Sequence, residues 1–333
     1  MASLPNKLAI GTSCLGQNPS HTLDRKIQAA AQQGFSGLEI VYGDLEHYST
    51  LNSLPITTGA KQIRQLSDDL GISIISIAPF ENFEGSKTPL QDRLSVAAHW
   101  LDIGRLLGAT YLQIPSQYGI NCIGDEAVIV SEMQQLADLA SSVSPVISIA
   151  YEPLSWGVYY STWDDALRLT KLVNRDNFGL CLDTFHEVTK LWASPFEASG
   201  VYPNGPEKLA DSLRRAVTEI PLEKIFYLQL SDAERFDPPF SKSHPWYLEG
   251  EAPEFTWSKH ARPFPLETEM GGYTPVTDVV RAWIVETGFK GWVSMEIFDR
   301  RMRDEAYRPE IAAERGWKSW ERVQSALNDD PRV

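Results

Sequence analysis

Eight short apolar runs alternate with amphipathic stretches along the whole sequence, and this alternation restricts the fold more than any other feature. The runs are KLAIGTSC, SGLEIVY, ISIISIAPF, ATYLQIPS, VISIAYEPL, FGLCLDTF, KIFYLQLS and GWVSMEIF. Each is rich in β-branched or aromatic residues and bounded by turn formers, as buried strands are. Helical periodicity fills the gaps in LDRKIQAAAQQ, KQIRQLSDDL, QDRLSVAAHWLDIGRLL, EAVIVSEMQQLADLA, WDDALRLTKLV, EKLADSLRRAVTE and TDVVRAWIVET, with a last helix in AAERGWKSWERVQSAL at about 310–328. Gly34, Gly71, Gly108 and Gly288 each follow a helical stretch and suit a left-handed C-cap. Strict β-α alternation implies parallel strands joined by right-handed crossovers. Eight units predict an α/β fold, the (β/α)8 TIM barrel, and such a barrel takes about 250 residues and tolerates insertions. Residues 1–333 are therefore read as one domain.

Four of the runs carry a polar side chain near the end where the chain leaves the strand: Glu152 in VISIAYEPL, Asp183 in FGLCLDTF, Gln229 in KIFYLQLS and Glu296 in GWVSMEIF. A carboxylate inside an apolar strand is costly unless it is paired or bound to a cation. The two-residue period of a strand puts Ala150, Cys181, Tyr227 and Ser294 one layer below these four and on the same inward face. Strands five to eight are neighbours in a sequentially wound barrel, whose active sites lie at the C-terminal mouth. Glu152, Asp183, Gln229 and Glu296 are therefore expected to converge on one divalent metal ion. Three carboxylates and an amide oxygen suit Mn²⁺ or Mg²⁺, with Co²⁺ also compatible, better than a thiophilic ion.

His186 follows Asp183 by three residues, where the chain is expected to enter a loop over the mouth. Imidazole titrates near neutral pH, so His186 is a candidate catalyst that donates to, or moves a proton on, a bound substrate. Glu152 and Glu296 are candidates for the same work, because a carboxylate that holds a cation with one oxygen can accept a proton with the other. Between the seventh strand and the TDVVRAWIVET helix, residues of about 231–273 form a connection far longer than the usual 2 to 6 residues. Its tryptophans, tyrosines, histidines and arginines suit a lid that excludes water and grips an anion.

The net charge of −14 argues against a nucleic-acid partner, which requires a cationic surface. No run approaches the roughly 20 apolar residues of a membrane span. The opening MASLPNKLAIGTS has no cationic stretch followed by an apolar one, so a cytoplasmic location is expected. Cys14, Cys122 and Cys181 show no paired spacing and are read as packed thiols. A homo-oligomer is compatible with all of this.

The order Glu152, Asp183, Gln229 and Glu296, with His186, resembles the sugar phosphate isomerase/epimerase-like barrels related to xylose isomerase, across nearly the whole chain. Within that group, VNRDNFGLCLDTFH, TWSKHARPFPLETEMGGYTPV and GFKGWVSMEIFDRRM are similar to the 3-dehydroshikimate dehydratases of quinate catabolism. The metal pattern alone is shared with ketose epimerases, hydroxypyruvate isomerases and inosose dehydratases; many relatives carry His where Gln229 stands, and EPL at Glu152 is epimerase-like. The resemblance implies proton abstraction beside a carbonyl with enolate stabilisation, followed by loss of water that yields protocatechuate. The substrate would be a small hydroxy-keto carboxylate. Arg262, in the similar stretch TWSKHARPF, is the leading candidate for its carboxylate, ahead of Arg235 and the Arg300, Arg301 and Arg303 cluster; Trp156 and His244 are further candidate contacts. A sugar isomerase or epimerase is the alternative on the same barrel, and a barrel that only binds its ligand is a third reading.

Overall fold

The computed structural model describes residues 4–329, and the expected parallel barrel forms among them. Its staves are β1 (Leu8–Gly11), β2 (Gly37–Val41), β3 (Ser73–Ala78), β4 (Tyr111–Pro115), β5 (Ser148–Glu152), β6 (Phe178–Asp183) and β7 (Ile225–Leu230), and the barrel is closed by β9 (Trp292–Met295). Two short strands outside the barrel, β8 (Ala261–Arg262) and β10 (Phe298–Asp299), pair antiparallel over the mouth. Around the barrel run α1 (Leu23–Gln33), α2 (Tyr42–Leu51), α3 (Ile56–Asp69), α4 (Leu90–Leu107), α5 (Glu126–Ser141), α6 (Trp163–Val173), α7 (Thr184–Leu191), α8 (Gly205–Glu219), α9 (Pro253–His260), α10 (Val276–Val280) and α11 (Pro309–Asn328). No described helix is long and apolar enough to cross a membrane.

The helices end where the sequence says they should. Gly34 and Gly108 adopt φ of 106° and 74° as left-handed caps, a region that L side chains seldom visit. Three helices were not expected from the sequence. Of its ten residues, α2 buries only Leu45 and Ser49, so it carries no apolar stripe to read. The other two, α7 and α9, have eight residues each, too short to establish a helical period. The stretch TDVVRAWIVET forms α10 and continues as a π-helical turn over Arg281–Glu286.

The barrel interior is layered as the two-residue period requires. Ala9, Ile75, Ala150, Cys181 and Tyr227 form a buried cluster at the lower level. Asp183 pairs in register with Gln229, and Gln229 with Ser294, so the next layer up is polar and Ser294 stands level with Gln229 rather than one layer below it as expected. Outside the staves, residues such as Ile10, Leu38, Leu112, Leu182 and Val293 are buried against the helices. Each aliphatic side chain removed from water there contributes about 1.5–3 kcal/mol.

One buried ion pair holds a wall of the mouth. Arg93 on α4 donates to Glu132 on α5 at 2.6 and 2.9 Å and to the Thr88 carbonyl at 2.8 Å, while Glu132 also accepts the Gly85 N–H at 2.7 Å. The connection between β3 and α4 is thereby fixed to α5. Arg93→Ala leaves the Glu132 carboxylate buried without its cation, so it is expected to lower unfolding free energy by about 3–5 kcal/mol. A denaturant titration checks this, and a loss under 1 kcal/mol would show that the pair is dispensable.

Candidate active site

Local chain geometry aims the polar side chains at one point. Asp183 ends β6 and is also the N-cap of α7, where its Oδ1 accepts the Phe185 N–H at 2.8 Å. An N-cap side chain satisfies a helix N–H that would otherwise lack a partner. The same cap starts the helix that carries His186, so the strand-end acid and the histidine three residues on are held together. His186 therefore lies in the first turn of α7 and not in the loop expected from the sequence. Glu296 lies one residue beyond β9, its N–H bonded to the Leu230 carbonyl at 3.1 Å, which keeps it in step with the end of β7.

The ligand atoms of Glu152, Asp183 and His186 lie within 4.8 Å of one another, all three residues buried. His186 Nδ1 accepts the Ser155 N–H at 3.0 Å, so the neutral ring carries its hydrogen on Nε2. That nitrogen faces Glu152 Oε1 at 3.3 Å and Asp183 Oδ2 at 3.9 Å. Gln113 on β4 donates to Glu152 Oε2, whereas Glu152 Oε1 is buried without a hydrogen-bond partner among the described residues. Gln229 Nε2 donates to Glu296 Oε1 at 3.0 Å and to both oxygens of Glu39 at 3.1 and 3.2 Å. Its Oε1 accepts from Cys181 Sγ at 3.1 Å, so the amide oxygen faces the layer below rather than the acids.

Burial dominates the electrostatics. It pushes Asp183 up to about 8, opposed by the Arg262 guanidinium and by His186. Glu152 is raised well above the carboxylate range by burial and then by Glu296, and Glu39 rises to about 7 for the same two reasons. Burial also lowers His186 to about 4, so the ring is neutral near pH 7. Four carboxylates, those of Glu39, Glu152, Asp183 and Glu296, face a single buried guanidinium. That imbalance, with the orphaned Glu152 Oε1, fits a divalent cation, whose charge would hold these acids ionised.

The guanidinium belongs to Arg262. The antiparallel pairing of β8 and β10 sets Arg262 opposite Phe298, and the guanidinium lies between the rings of Phe185 and Phe298, 4.9 and 5.3 Å from their centres. Its Nη2 donates to Asp183 Oδ2 and to Glu296 Oε2, the latter at 2.8 Å, and its Nε to Ser231 Oγ at 2.7 Å. Only 1% of its surface is exposed, so it forms part of the floor of the mouth.

A cavity of about 320 Å³ lies above this floor, lined by Glu39, Gln113, Glu152, Trp156, His186, Arg262 and Glu296. Residues 231–273 cross over it. Phe255 on α9 contacts Trp156 and Tyr118, with ring centres 5.2 and 5.5 Å apart, and Ser258 and Lys259 from the same helix complete the roof. Both ends of this segment are tied to Asp232, whose carboxylate accepts the N–H groups of Ala233, Leu266, Tyr273 and Thr274 at 2.8–3.1 Å.

Glu152, Asp183, Gln229, Glu296, His186, Arg262 and Trp156 are thus gathered at one mouth. Trp156 meets the His186 ring edge-on at 4.7 Å, and its buried Nε1 has no hydrogen-bond partner among the described residues. His244 is placed elsewhere: it packs against Phe236, Phe240 and Trp246 within the overlying segment and does not line the cavity. Arg300 and Arg301 pair with Glu234, and Arg303 bonds to His260 and the Lys259 carbonyl. Glu39 and Gln113 were missed from the sequence. Both interrupt apolar runs, SGLEIVY and ATYLQIPS, which is the signal that identified the other acids.

Comparison with known proteins bears on the fold and the family. A model of the xylose isomerase-like TIM barrel family matches residues 27–318. A 3-dehydroshikimate dehydratase of Neurospora crassa is 35% identical over 97% of this chain and 95% of its own length. The 3-dehydroshikimate dehydratase of Pseudomonas aeruginosa is longer: it is 30% identical over 85% of this chain, but the match spans 37% of that protein. Among solved structures, a xylose isomerase-like TIM barrel/4-hydroxyphenylpyruvate dioxygenase fusion protein aligns with a TM-score of 0.75 at 26% identity, over 100% of this chain and 46% of that one.

Proposed function

We infer that this chain, which belongs to the xylose isomerase-like TIM barrel family and is 35% identical to a 3-dehydroshikimate dehydratase along almost the full length of both, is a lyase that dehydrates 3-dehydroshikimate to protocatechuate. The near end-to-end match carries the substrate, and the acid cluster under a roofed cavity supports the chemistry. In this substrate one carbon lies between a ketone and a hydroxyl-bearing carbon. Loss of its proton gives an enolate, the β-hydroxyl leaves as water, and the ring aromatises by tautomerisation.

Glu152, Asp183, Gln229 and Glu296 would hold one divalent ion, for which three carboxylates and an amide suit Mn²⁺ or Mg²⁺, with Co²⁺ as a further option. When bound, such an ion supplies positive charge against the developing enolate oxygen. The protein's own groups handle the protons. Glu152 and Glu296 are placed to accept the proton lost from carbon. His186, with Nδ1 engaged by Ser155, presents Nε2–H to the cavity and would donate a hydrogen bond to the departing hydroxyl, while the carboxyl that took the proton from carbon would return it there so that water leaves. The aromatic walls Trp156 and Phe255 suit a flat ring, and the roof excludes water.

Arg262 is the cation proposed for the substrate carboxylate, since it borders the cavity, which Arg235, Arg300, Arg301 and Arg303 do not line. Loss of a charge-assisted hydrogen bond removes about 1.5–3 kcal/mol. Arg262→Met is therefore expected to raise KM for 3-dehydroshikimate roughly 10- to 100-fold. Because the guanidinium bonds to the same acids, the variant is not expected to weaken Mn²⁺ binding. The decisive assay supplies purified protein with Mn²⁺ or Mg²⁺ and follows the aromatic product by ultraviolet absorbance, with a panel of ketoses in parallel. Turnover of an uncharged ketose without any protocatechuate would replace this reading with a sugar isomerase or epimerase.

A further inference from the structure

Arg262 has little left to give a substrate carboxylate. Its Nε donates to Ser231 Oγ at 2.7 Å and its Nη2 to Asp183 and Glu296, leaving Nη1, whose contact is Ser258 Oγ at 3.5 Å. A carboxylate has two oxygens and about four lone-pair sites to satisfy. The floor is also unfavourable to an anion, because the carboxylates of Glu39, Glu152, Asp183 and Glu296 carry more charge than Arg262 and a divalent ion together. Among the described residues that line the cavity, the other lysine or arginine is Lys259, on the roof.

Lys259 lies in the last turn of α9, four residues after Phe255, and both border the cavity. Its carbonyl accepts from Arg303 Nη2 at 2.6 Å, which fixes the backbone there. The side chain ends on Glu251 Oε2 at 2.5 Å, with the ammonium 4.5 Å from the centre of the Phe255 ring. Glu251 precedes α9 and does not border the cavity; its other oxygen accepts from Thr256 Oγ1 at 2.5 Å. The lysine side chain is 32% exposed, and an ion pair that solvent reaches this far is worth little. A flexible four-carbon stem lets such an ammonium exchange one carboxylate for another, and an enclosed cavity screens a bound anion less than bulk solvent does. We propose that Lys259 is a specificity-determining residue, whose ammonium passes from Glu251 to the substrate carboxylate as the ring enters, so that the anion is held from the roof as well as by Arg262. Glu251 is then the resting partner of Lys259 and competes with the substrate for it. The proposal rests on the 3-dehydroshikimate reading above, and the experiment tells the two failures apart.

The test uses Mn²⁺-loaded protein and has two readouts. Steady-state kinetics with 3-dehydroshikimate compare Lys259→Met, Lys259→Arg and Glu251→Gln with wild type, and calorimetry measures binding of protocatechuate and of catechol, the same ring without the carboxylate. Methionine keeps the apolar stem and removes the charge, so Lys259→Met is expected to raise KM roughly 10-fold or more with a smaller effect on kcat, and Lys259→Arg to recover most of that loss. Lys259→Met should weaken protocatechuate by a similar factor and leave catechol within about threefold of wild type. Glu251→Gln keeps an acceptor for Thr256 and removes the competing charge, so it should lower KM by roughly 2- to 5-fold. A rise in KM in both Lys259→Met and Glu251→Gln would overturn the proposal, because the pair would then only brace α9. An unchanged KM in Lys259→Met, or an equal loss of protocatechuate and catechol, would overturn it as well. Wild-type protein that forms no protocatechuate from 3-dehydroshikimate defeats the substrate reading instead, and a thermal melt of each variant confirms that a lost signal is not a lost fold.

Discussion

A chelator is expected to abolish turnover, and added Mn²⁺ or Mg²⁺ to restore it. Asp183 carries the sharpest form of this expectation because two functions meet in one side chain. Its Oδ2 lies in the acid cluster, and its Oδ1 caps α7. Asp183→Ala removes both, so part of its effect is the roughly 1 kcal/mol cost of a lost cap. Asp183→Asn retains an oxygen for the Phe185 N–H and removes the charge. If a divalent ion supplies several kcal/mol of charge stabilisation at the enolate, Asp183→Asn should lower kcat/KM by roughly 10³-fold or more while leaving the melting temperature close to wild type. Glu152→Ala, Gln229→Ala and Glu296→Ala should each weaken Mn²⁺ binding. Full activity in a demonstrably metal-free preparation would end the metal reading, and with it the assignment of these four residues.

The barrel could be read from the sequence because it is built from local periods. A run such as FGLCLDTF states its own boundaries, and parity alone puts Cys181 below Asp183 and Tyr227 below Gln229. The polar layer was legible only in part. Glu152 and Asp183 occupy the last residue of their strands, whereas Glu39 and Gln113 are each the third of five residues, so a search confined to strand ends passes over them. Arg262 was legible as a residue but not as a position. Its place on Asp183 and Glu296 depends on the pairing of β8 with β10, a long-range contact with no periodic trace in the sequence. His244 illustrates the same limit, since the composition of the overlying segment indicates an aromatic-rich cover without saying which ring turns inward and which packs on Phe236 and Phe240.

His186→Ala is expected to lower kcat by about 10²-fold or more, the scale of one positioned acid or base, while the protein stays folded. The geometry gives the residue a definite direction. Ser155 donates its N–H to Nδ1, so Nε2 carries the hydrogen and faces Glu152 and Asp183 across 3.3 and 3.9 Å. An imidazole fixed this way is a donor at the cavity, suited to a leaving hydroxyl, and it is not free to act as a base through Nδ1. His186→Gln should recover part of the lost turnover if donation of a hydrogen bond is the contribution, and none if a full proton must be delivered. Proximity also allows a competing role, because His186 Nε2 stands within ligand distance of the same acids. Mn²⁺ affinity separates the two: a catalytic donor leaves it near the wild-type value, whereas a ligand lost from the site weakens it as Asp183→Ala does. Unchanged kcat in His186→Ala, with Mn²⁺ binding intact, would remove the residue from the mechanism and leave the carboxylates and the bulk of the cavity to manage both proton transfers.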